Sequence, residues 1–236
     1  MRILGVDLAA QPKNTSVALL EGNRVIDLLS SADDDAITER ARECGAIGID
    51  APLGWPDAFV DVVNAHHRGE PTRPADPRSL QLRLTDRVVH HTTGKRPLSV
   101  STDRIGVVAL RAIGLLEHMV GPGADRAGGA SVFETYPGGA VTAWSLVEGS
   151  YKRPDSTPQR TAIVDALATH LHLGPHRDRM IASDDDLDAV LSAVLAALAT
   201  IGRTVPPLPD QRDVAQREGW IHIPSGPLTD IARLAH

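Results

Sequence analysis

The chain opens with Arg2-Ile3-Leu4-Gly5-Val6-Asp7, a short aliphatic run that ends in an acid. A run of this length and character predicts a buried β-strand. Residues 15–21 and 25–29 are also rich in aliphatic residues, and the turn-forming stretch Glu21-Gly22-Asn23-Arg24 separates them. They predict a second and a third strand joined by a hairpin. This part of the chain therefore predicts an antiparallel meander of three strands.

Helices and strands alternate in the prediction for the following residues. A helix is expected at 33–44, a fourth strand at 46–50, and a fifth strand at 131–136, with helices at 104–120, 158–173 and 183–200. Right-handed crossovers would place the ends of the first and fourth strands side by side. This order predicts one ribonuclease H-like α/β domain spanning residues 1–236. Its mixed five-stranded sheet is flanked by helices, and an irregular, Arg-rich insertion covers about residues 55–130.

Composition agrees with a folded α/β protein. The 236 residues are 42% hydrophobic and 3% aromatic, which predicts an aliphatic core in one large domain or two small ones. A net charge of −6 gives no general indication of nucleic-acid binding. The single cysteine, Cys44, excludes a disulfide framework within the chain. With neither a signal-peptide pattern nor a long apolar segment, we expect a cytoplasmic protein that does not enter a membrane.

Three acids stand in or at the end of predicted strands. Asp7 follows the first strand, Asp50 follows the fourth, and Glu134 lies within the fifth. A strand-end aspartate often caps the following turn, so each position has a purely structural explanation. The alternative is a shared site, because ligands of open α/β sheets gather at the carboxyl ends of strands.

A further group of acids opens the helix predicted at 183–200. Ser183 is a good N-cap, and acids in a first turn favour the helix dipole, which accounts for the acids at 184–186. Asp188 is harder to explain, because it lies beside the apolar stripe that contains Leu187 and Leu191. A carboxylate at a core-facing edge needs a partner. Asp185 lies three residues earlier, on the same side of the helix.

Clustered carboxylates suit a divalent-metal site. Mg²⁺ and Mn²⁺ prefer oxygen ligands, and two such ions can activate water and stabilise the leaving oxygen of a phosphodiester. We therefore predict that Asp7, Asp50, Asp185 and Asp188 bind Mg²⁺ or Mn²⁺ and are catalytic, with Glu134 as a fifth catalytic candidate. The paired histidines at 66–67 and 90–91 are predicted to be surface residues.

Basic residues concentrate in the insertion. Between Arg68 and Arg111 there are nine basic and four acidic residues; the basic ones are Arg68, Arg73, Arg78, Arg83, Arg87, Lys95, Arg96, Arg104 and Arg111. Such a segment beside an acidic centre fits a phosphate-backbone substrate, although it also fits solvation of an irregular region. Arg83, Arg87 and Lys152 are the substrate-binding candidates. Aromatic residues are absent from 68–111, so duplex, hybrid or branched nucleic acid is expected rather than stacked bases.

The chain resembles the family called domain of unknown function 429, whose members are regarded as predicted nucleases with a ribonuclease H-like fold. The resemblance rests on ordered short motifs along nearly the whole chain: Gly5-Val6-Asp7-Leu8-Ala9, Ile49-Asp50-Ala51-Pro52-Leu53-Gly54, Thr85-Asp86-Arg87, Phe133-Glu134-Thr135-Tyr136-Pro137, Asp185-Asp186-Leu187-Asp188-Ala189 and Glu218-Gly219-Trp220-Ile221. The last helix is also similar to RuvC-type junction resolvases. That similarity implies Asp7, Asp50, Asp185 and Asp188 as metal ligands.

Two other function classes remain open. A phosphotransferase of the actin and sugar-kinase type shares the strand-end aspartate, but it normally needs two such domains and Gly-rich phosphate loops. A non-catalytic binding or scaffold protein of the same fold is the other alternative. The sequence leaves the substrate and the oligomeric state undetermined.

Overall fold

The computed structural model describes residues 1–72 and 76–235. Within them the chain forms an α/β structure with a six-stranded mixed sheet in the order β3-β2-β1-β4-β5-β6. The strands are β1 (Arg2–Asp7), β2 (Ser16–Glu21), β3 (Arg24–Ser30), β4 (Ala46–Asp50), β5 (Val132–Thr135) and β6 (Ile221–His222). The helices are α1 (Asp34–Ala41), α2 (Asp57–His67), α3 (Pro77–Gln81), α4 (Leu84–Thr93), α5 (Gly106–Met119), α6 (Pro137–Ala143), α7 (Thr157–Ala168), α8 (Arg177–Ala182), α9 (Asp184–Thr200) and α10 (Arg212–Glu218).

The sheet combines antiparallel pairing on one side of β1 with parallel pairing on the other. β1 pairs antiparallel with β2, and β2 with β3, which confirms the predicted meander. β1, β4, β5 and β6 are parallel neighbours, so their carboxyl ends lie at one edge. The register sets Asp7 directly opposite Asp50. The predicted adjacency of the first and fourth strand ends is therefore observed.

Two details of the predicted fold were wrong. The sheet has six strands rather than five, because Ile221–His222, within the strand-like stretch at 219–224, pairs with β5. The insertion is less irregular than expected: besides α5, which confirms the helix predicted at 104–120, it contains three unpredicted helices, α2, α3 and α4. Local side-chain caps start two of these helices: Asp76 accepts from the backbone N–H of Arg78, and Asp86 accepts from that of Arg83. Arg73, one of the predicted basic residues, lies outside the described residues.

Helices cover both faces of the sheet. α7, α8 and α9 share one aliphatic core with Ile3, Ala18 and Leu20, whereas α1 and α5 share another with Leu4, Val6 and Ile49. Successive residues of β1 thus point to opposite cores, as the pleat of a strand requires. In the described part of the chain, every helix falls short of the length and apolar character required to cross a membrane.

The helix α9 lies unusually close to the centre of the sheet. Gly5 and Gly48 face each other across β1 and β4. A Cβ atom on Gly5 would overlap the backbone oxygen of Ala189, and one on Gly48 would overlap that of Ser192. Two paired glycines therefore let the backbone of α9 rest directly on the strands, and this contact fixes the position of the helix along them.

Candidate metal centre

Three carboxylates converge at the carboxyl ends of β1 and β4. One oxygen each from Asp7, Asp50 and Asp188 lies within 4.8 Å of the other two. Asp7 and Asp50 each follow a glycine by two residues, so they point to the same face as that glycine, toward α9. Asp188 precedes Ser192 by one helical turn on the side of α9 that meets the sheet. The glycine contacts therefore bring all three acids, called here the carboxylate triad, to one point.

Mutual repulsion and burial perturb the triad. Burial, followed by the charges of Asp188 and Asp50, raises the pKa of Asp7 well above its ordinary value. Burial likewise raises the pKa of Asp50 to about 7, although Lys152 opposes this effect. Both shifts favour the neutral carboxyl groups in the absence of a cation. A positive ion placed among these oxygens would relieve the repulsion, so the acids have a physical reason to take one up.

Asp188 is held by the loop between α6 and α7. It is 1% exposed, and its Oδ1 accepts a 2.7 Å hydrogen bond from the Tyr151 hydroxyl. Its Oδ2 forms an ion pair with the ammonium group of Lys152. The expectation that this core-edge acid needs partners is confirmed. The role of Tyr151 was missed, because thirty-seven residues separate it from Asp188 and a sequence gives no sign of that contact.

Lys152 places a cation against the triad. Its side chain is 46% exposed while its ammonium group lies against the buried carboxylate of Asp188. Burial of this group opposes its charge, but Asp188, Asp50 and Asp7 outweigh that effect and raise the pKa of Lys152 well above its ordinary value. The structure thus places the predicted substrate-binding lysine beside the acids, where it partly neutralises them.

A cavity of about 600 Å³ opens beside the triad. Asp7, Asp50 and Lys152 line it together with Lys95, whose ammonium group lies 5.9 Å from the ring centre of Tyr136 and donates to the Gly138 carbonyl oxygen at 3.2 Å. Burial, with the charge of Lys152, lowers the pKa of Lys95. The pKa of Tyr136 is raised to about 12, mainly by burial. The cavity therefore combines carboxylates, two ammonium groups and aromatic surface.

Glu134 and Arg83 also reach this cavity, but they bind each other. Arg83 donates two hydrogen bonds to Glu134, at 2.7 and 2.9 Å, and further ones to the carboxylate of Asp86. Glu134 accepts an additional hydrogen bond from the backbone N–H of Leu53 at 2.9 Å. Arg83 and Glu134 are 1% and 2% exposed. Buried ions in such a network support the surrounding loops, in particular the segment that follows Asp50.

The chain near α10 completes this network. Gly219 has a φ of +84°, and a Cβ atom there would lie 2.7 Å from Glu134 Oε2, so the position requires glycine. The carboxylate of Glu218 accepts from the backbone N–H groups of Asp57 and Leu84. These contacts attach the helical insertion to the sheet. They also give the Glu218-Gly219-Trp220 motif a structural explanation.

The remaining predicted site residues lie farther from the triad. Asp185 is half-buried, and its charge contributes to the raised pKa of Asp7, but it is outside the group of three convergent acids found in the described residues. Arg87 is an exposed residue of α4. Asp186, explained from sequence by helix capping alone, is buried and accepts hydrogen bonds from Ser16, Ser30 and Arg179. It thereby ties the start of α9 to β2 and β3.

Comparison with protein families gives one match. The model of a protein family of unknown function, DUF429, matches residues 5–212. The chain belongs to the DUF429 family. No curated protein and no solved structure gives a significant match.

The DUF429 match contains the whole triad. Asp7, Asp50 and Asp188 fall within residues 5–212, as do Tyr151 and Lys152. The match ends before the Glu218-Gly219-Trp220 motif and β6. The candidate metal centre of this DUF429 chain therefore lies in the matched region, whereas β6, the outermost parallel strand, lies beyond it.

Proposed function

We propose that this chain is a divalent-metal-dependent nuclease that hydrolyses phosphodiester bonds. The observation that carries the proposal is the convergence of Asp7, Asp50 and Asp188 within 4.8 Å at the ends of parallel strands. Three carboxylates from separate elements form a hard-oxygen site of the kind that Mg²⁺ and Mn²⁺ prefer. Nucleic acid is the proposed partner.

The donor set fits such an ion on chemical grounds. The oxygens are close enough to share one cation, and burial raises the pKa of both Asp7 and Asp50. A cation would hold both acids in the ionised form that binds metal. Asp7, Asp50 and Asp188 would hold the first ion. The prediction that Asp185 helps to hold a second ion stays a prediction.

Mg²⁺ or Mn²⁺ bound at the triad would supply charge neutralisation at the phosphoryl group and activation of a water nucleophile. In the reaction, the water oxygen bonds to phosphorus, the phosphorus–oxygen bond to the leaving group breaks, and the leaving oxygen takes up a proton. Lys152 has an ammonium group beside Asp188 that can stabilise negative charge on the phosphoryl oxygens. Tyr151 keeps Asp188 oriented through its 2.7 Å hydrogen bond.

Strand order supports a ribonuclease H-like fold as part of this proposal. The segment β3-β2-β1-β4-β5 has an antiparallel meander followed by parallel strands with crossover connections, which are right-handed in nearly all proteins, and β6 extends it by one strand. The acids lie at the carboxyl edge, where open α/β sheets bind ligands. We further propose that the enzyme works in the cytoplasm.

A cleavage assay tests the proposal. Wild-type protein and Asp7→Asn are incubated with single-stranded, duplex, branched and RNA–DNA hybrid substrates, with Mn²⁺ or with EDTA. Asp184→Asn is the matched control, because it removes a neighbouring acid outside the triad. We expect cleavage by wild type and the control with Mn²⁺ only. Equal cleavage by Asp7→Asn, or none by wild type on any substrate, would contradict the proposal.

A further inference from the structure

The cavity beside the triad has the size of a small-molecule site. Its volume is about 600 Å³, and small-molecule pockets commonly measure roughly 300–1,000 Å³. Such a cavity encloses most of one small ligand. A nucleic-acid duplex instead needs an extended basic surface that neutralises several phosphates.

One wall of the cavity is apolar and accessible. Pro97, Leu98, Ile105 and Val108 line it, and Leu98 is 59% exposed. An exposed leucine contributes little to a core, but it can remove an apolar group of a ligand from water. The wall is therefore suited to a planar base rather than to a sugar-phosphate backbone.

The cavity also contains charged groups that can bind the polar part of a ligand. Lys95 and Lys152 both line the cavity that contains Asp7 and Asp50. A phosphate can lie between a cation held by the triad and these two ammonium groups. The cavity thus offers one phosphate position and one apolar position within the same small volume.

Three arginines of the insertion are already engaged elsewhere. Arg83 pairs with Glu134 and Asp86 inside the protein, Arg111 pairs with Asp34, and Arg68 pairs with Glu70. Their charges are therefore partly neutralised before any substrate arrives. This weakens the case for a continuous phosphate-binding track along the insertion.

We propose that the site takes one nucleotide unit at a time, with its base on the apolar wall and its phosphate between the triad and the two lysines. The inference rests on the proposed function and narrows its substrate to a chain end or a nucleotide-sized diester. Water adds its oxygen to phosphorus, the phosphorus–oxygen bond to the neighbouring unit breaks, and the leaving oxygen is protonated, so one nucleoside monophosphate is released.

Calorimetry tests the binding part of the inference. Thymidine 5′-monophosphate and ribose 5-phosphate are titrated into the full chain with Mg²⁺. We expect the nucleotide to bind about tenfold more tightly, because its base adds apolar burial. Leu98→Ser should remove most of that difference. Leu110→Ser is the matched control, since Leu110 is a 63% exposed leucine of α5 outside the cavity lining found for the described residues. Equal affinities, or equal effects of both substitutions, would overturn the inference.

Linear and circular single-stranded DNA test the cleavage part with Mn²⁺. We expect stepwise release of mononucleotides from the linear strand and an intact circle. Nicking of the circle at a comparable rate overturns the inference while supporting the proposed nuclease. If thymidine 5′-monophosphate binds more tightly than ribose 5-phosphate but neither DNA is cleaved, the nucleotide site is supported and the proposed nuclease activity is contradicted. The two proposals can therefore fail separately.

Discussion

The hydroxyl group of Tyr151 donates a hydrogen bond to Oδ1 of Asp188, and the adjacent Lys152 pairs with Oδ2. Two consecutive loop residues therefore contact both oxygens of a carboxylate that is 1% exposed, one through a hydrogen bond and one through an ion pair. A buried carboxylate without such partners would be costly. The loop between α6 and α7 thus holds the carboxylate that α9 presents to Asp7 and Asp50.

Loss of the Tyr151 hydroxyl should weaken both folding and metal binding. In Tyr151→Phe, one buried oxygen of Asp188 loses its donor, which we expect to lower the free energy of unfolding by about 1–3 kcal/mol. Loss of a group that orients a metal ligand should reduce Mn²⁺ affinity by about 10- to 100-fold. Urea denaturation and Mn²⁺ titration measure the two effects.

Tyr136→Phe is the control for this prediction. Within residues 1–72 and 76–235, its hydroxyl forms no hydrogen bond, so its removal should change stability by less than about 0.5 kcal/mol. Similar losses in the two variants would argue against a specific Tyr151–Asp188 contact.

Replacement of Gly5 should disrupt the packing that assembles the site. In Gly5→Ala the added methyl group would overlap the backbone of α9, which must move away from β1. We expect the free energy of unfolding to fall by about 1–3 kcal/mol. Thermal and urea denaturation measure this loss. Gly114→Ala is the matched control: this helical glycine has open space around its Cβ position, so alanine should stabilise α5 by up to about 1 kcal/mol. A neutral Gly5→Ala would contradict the close approach of α9.

The free energy of unfolding should depend on pH through the protonation of Asp50. Its pKa is raised to about 7 in the folded chain from an ordinary value of 3.8. The stabilising contribution of the protonated group is complete below the ordinary value and is lost as pH rises through about 7. In EDTA, wild type should therefore become less stable between about pH 6.5 and 8, and Asp50→Asn should show a smaller decrease.

His222 limits this comparison to the upper pH range. Burial lowers the pKa of His222 to about 4 from an ordinary 6.5, so its contribution to stability is lost as pH falls through that interval. Urea denaturation at several pH values measures the slope, with Asp184→Asn as control. An unchanged slope in Asp50→Asn would show that Asp50 is already ionised in the folded chain.

Several parts of the fold follow directly from local sequence. The aliphatic runs that end at Asp7 and Asp50 predict β1 and β4 with their observed bounds, because buried parallel strands are continuous apolar segments. Asp188 was singled out because an acid beside an apolar helix stripe needs partners, and the structure supplies two of them.

Other parts depend on contacts that sequence does not reveal. Arg83 was predicted to bind substrate, and the structure shows that it binds the carboxylates of Glu134 and Asp86. Glu134 lies fifty-one residues away along the chain, so the sequence gives no sign of that contact. The helix α4 begins where the distant Glu218 accepts from Leu84. Lys95 and Tyr136 were not recognised as cavity residues, because only the folded chain brings α4, β5 and α6 together.

The central claim is that the carboxylate triad binds a divalent cation, and calorimetric titration with Mn²⁺ tests it most directly. Wild type, Asp7→Asn, Asp188→Asn and the Asp184→Asn control are compared after circular dichroism has verified their folding. We predict that wild type and Asp184→Asn bind Mn²⁺ alike, and that each triad substitution weakens binding by at least about tenfold. Folded Asp7→Asn and Asp188→Asn proteins that bind Mn²⁺ as tightly as wild type would contradict the claim.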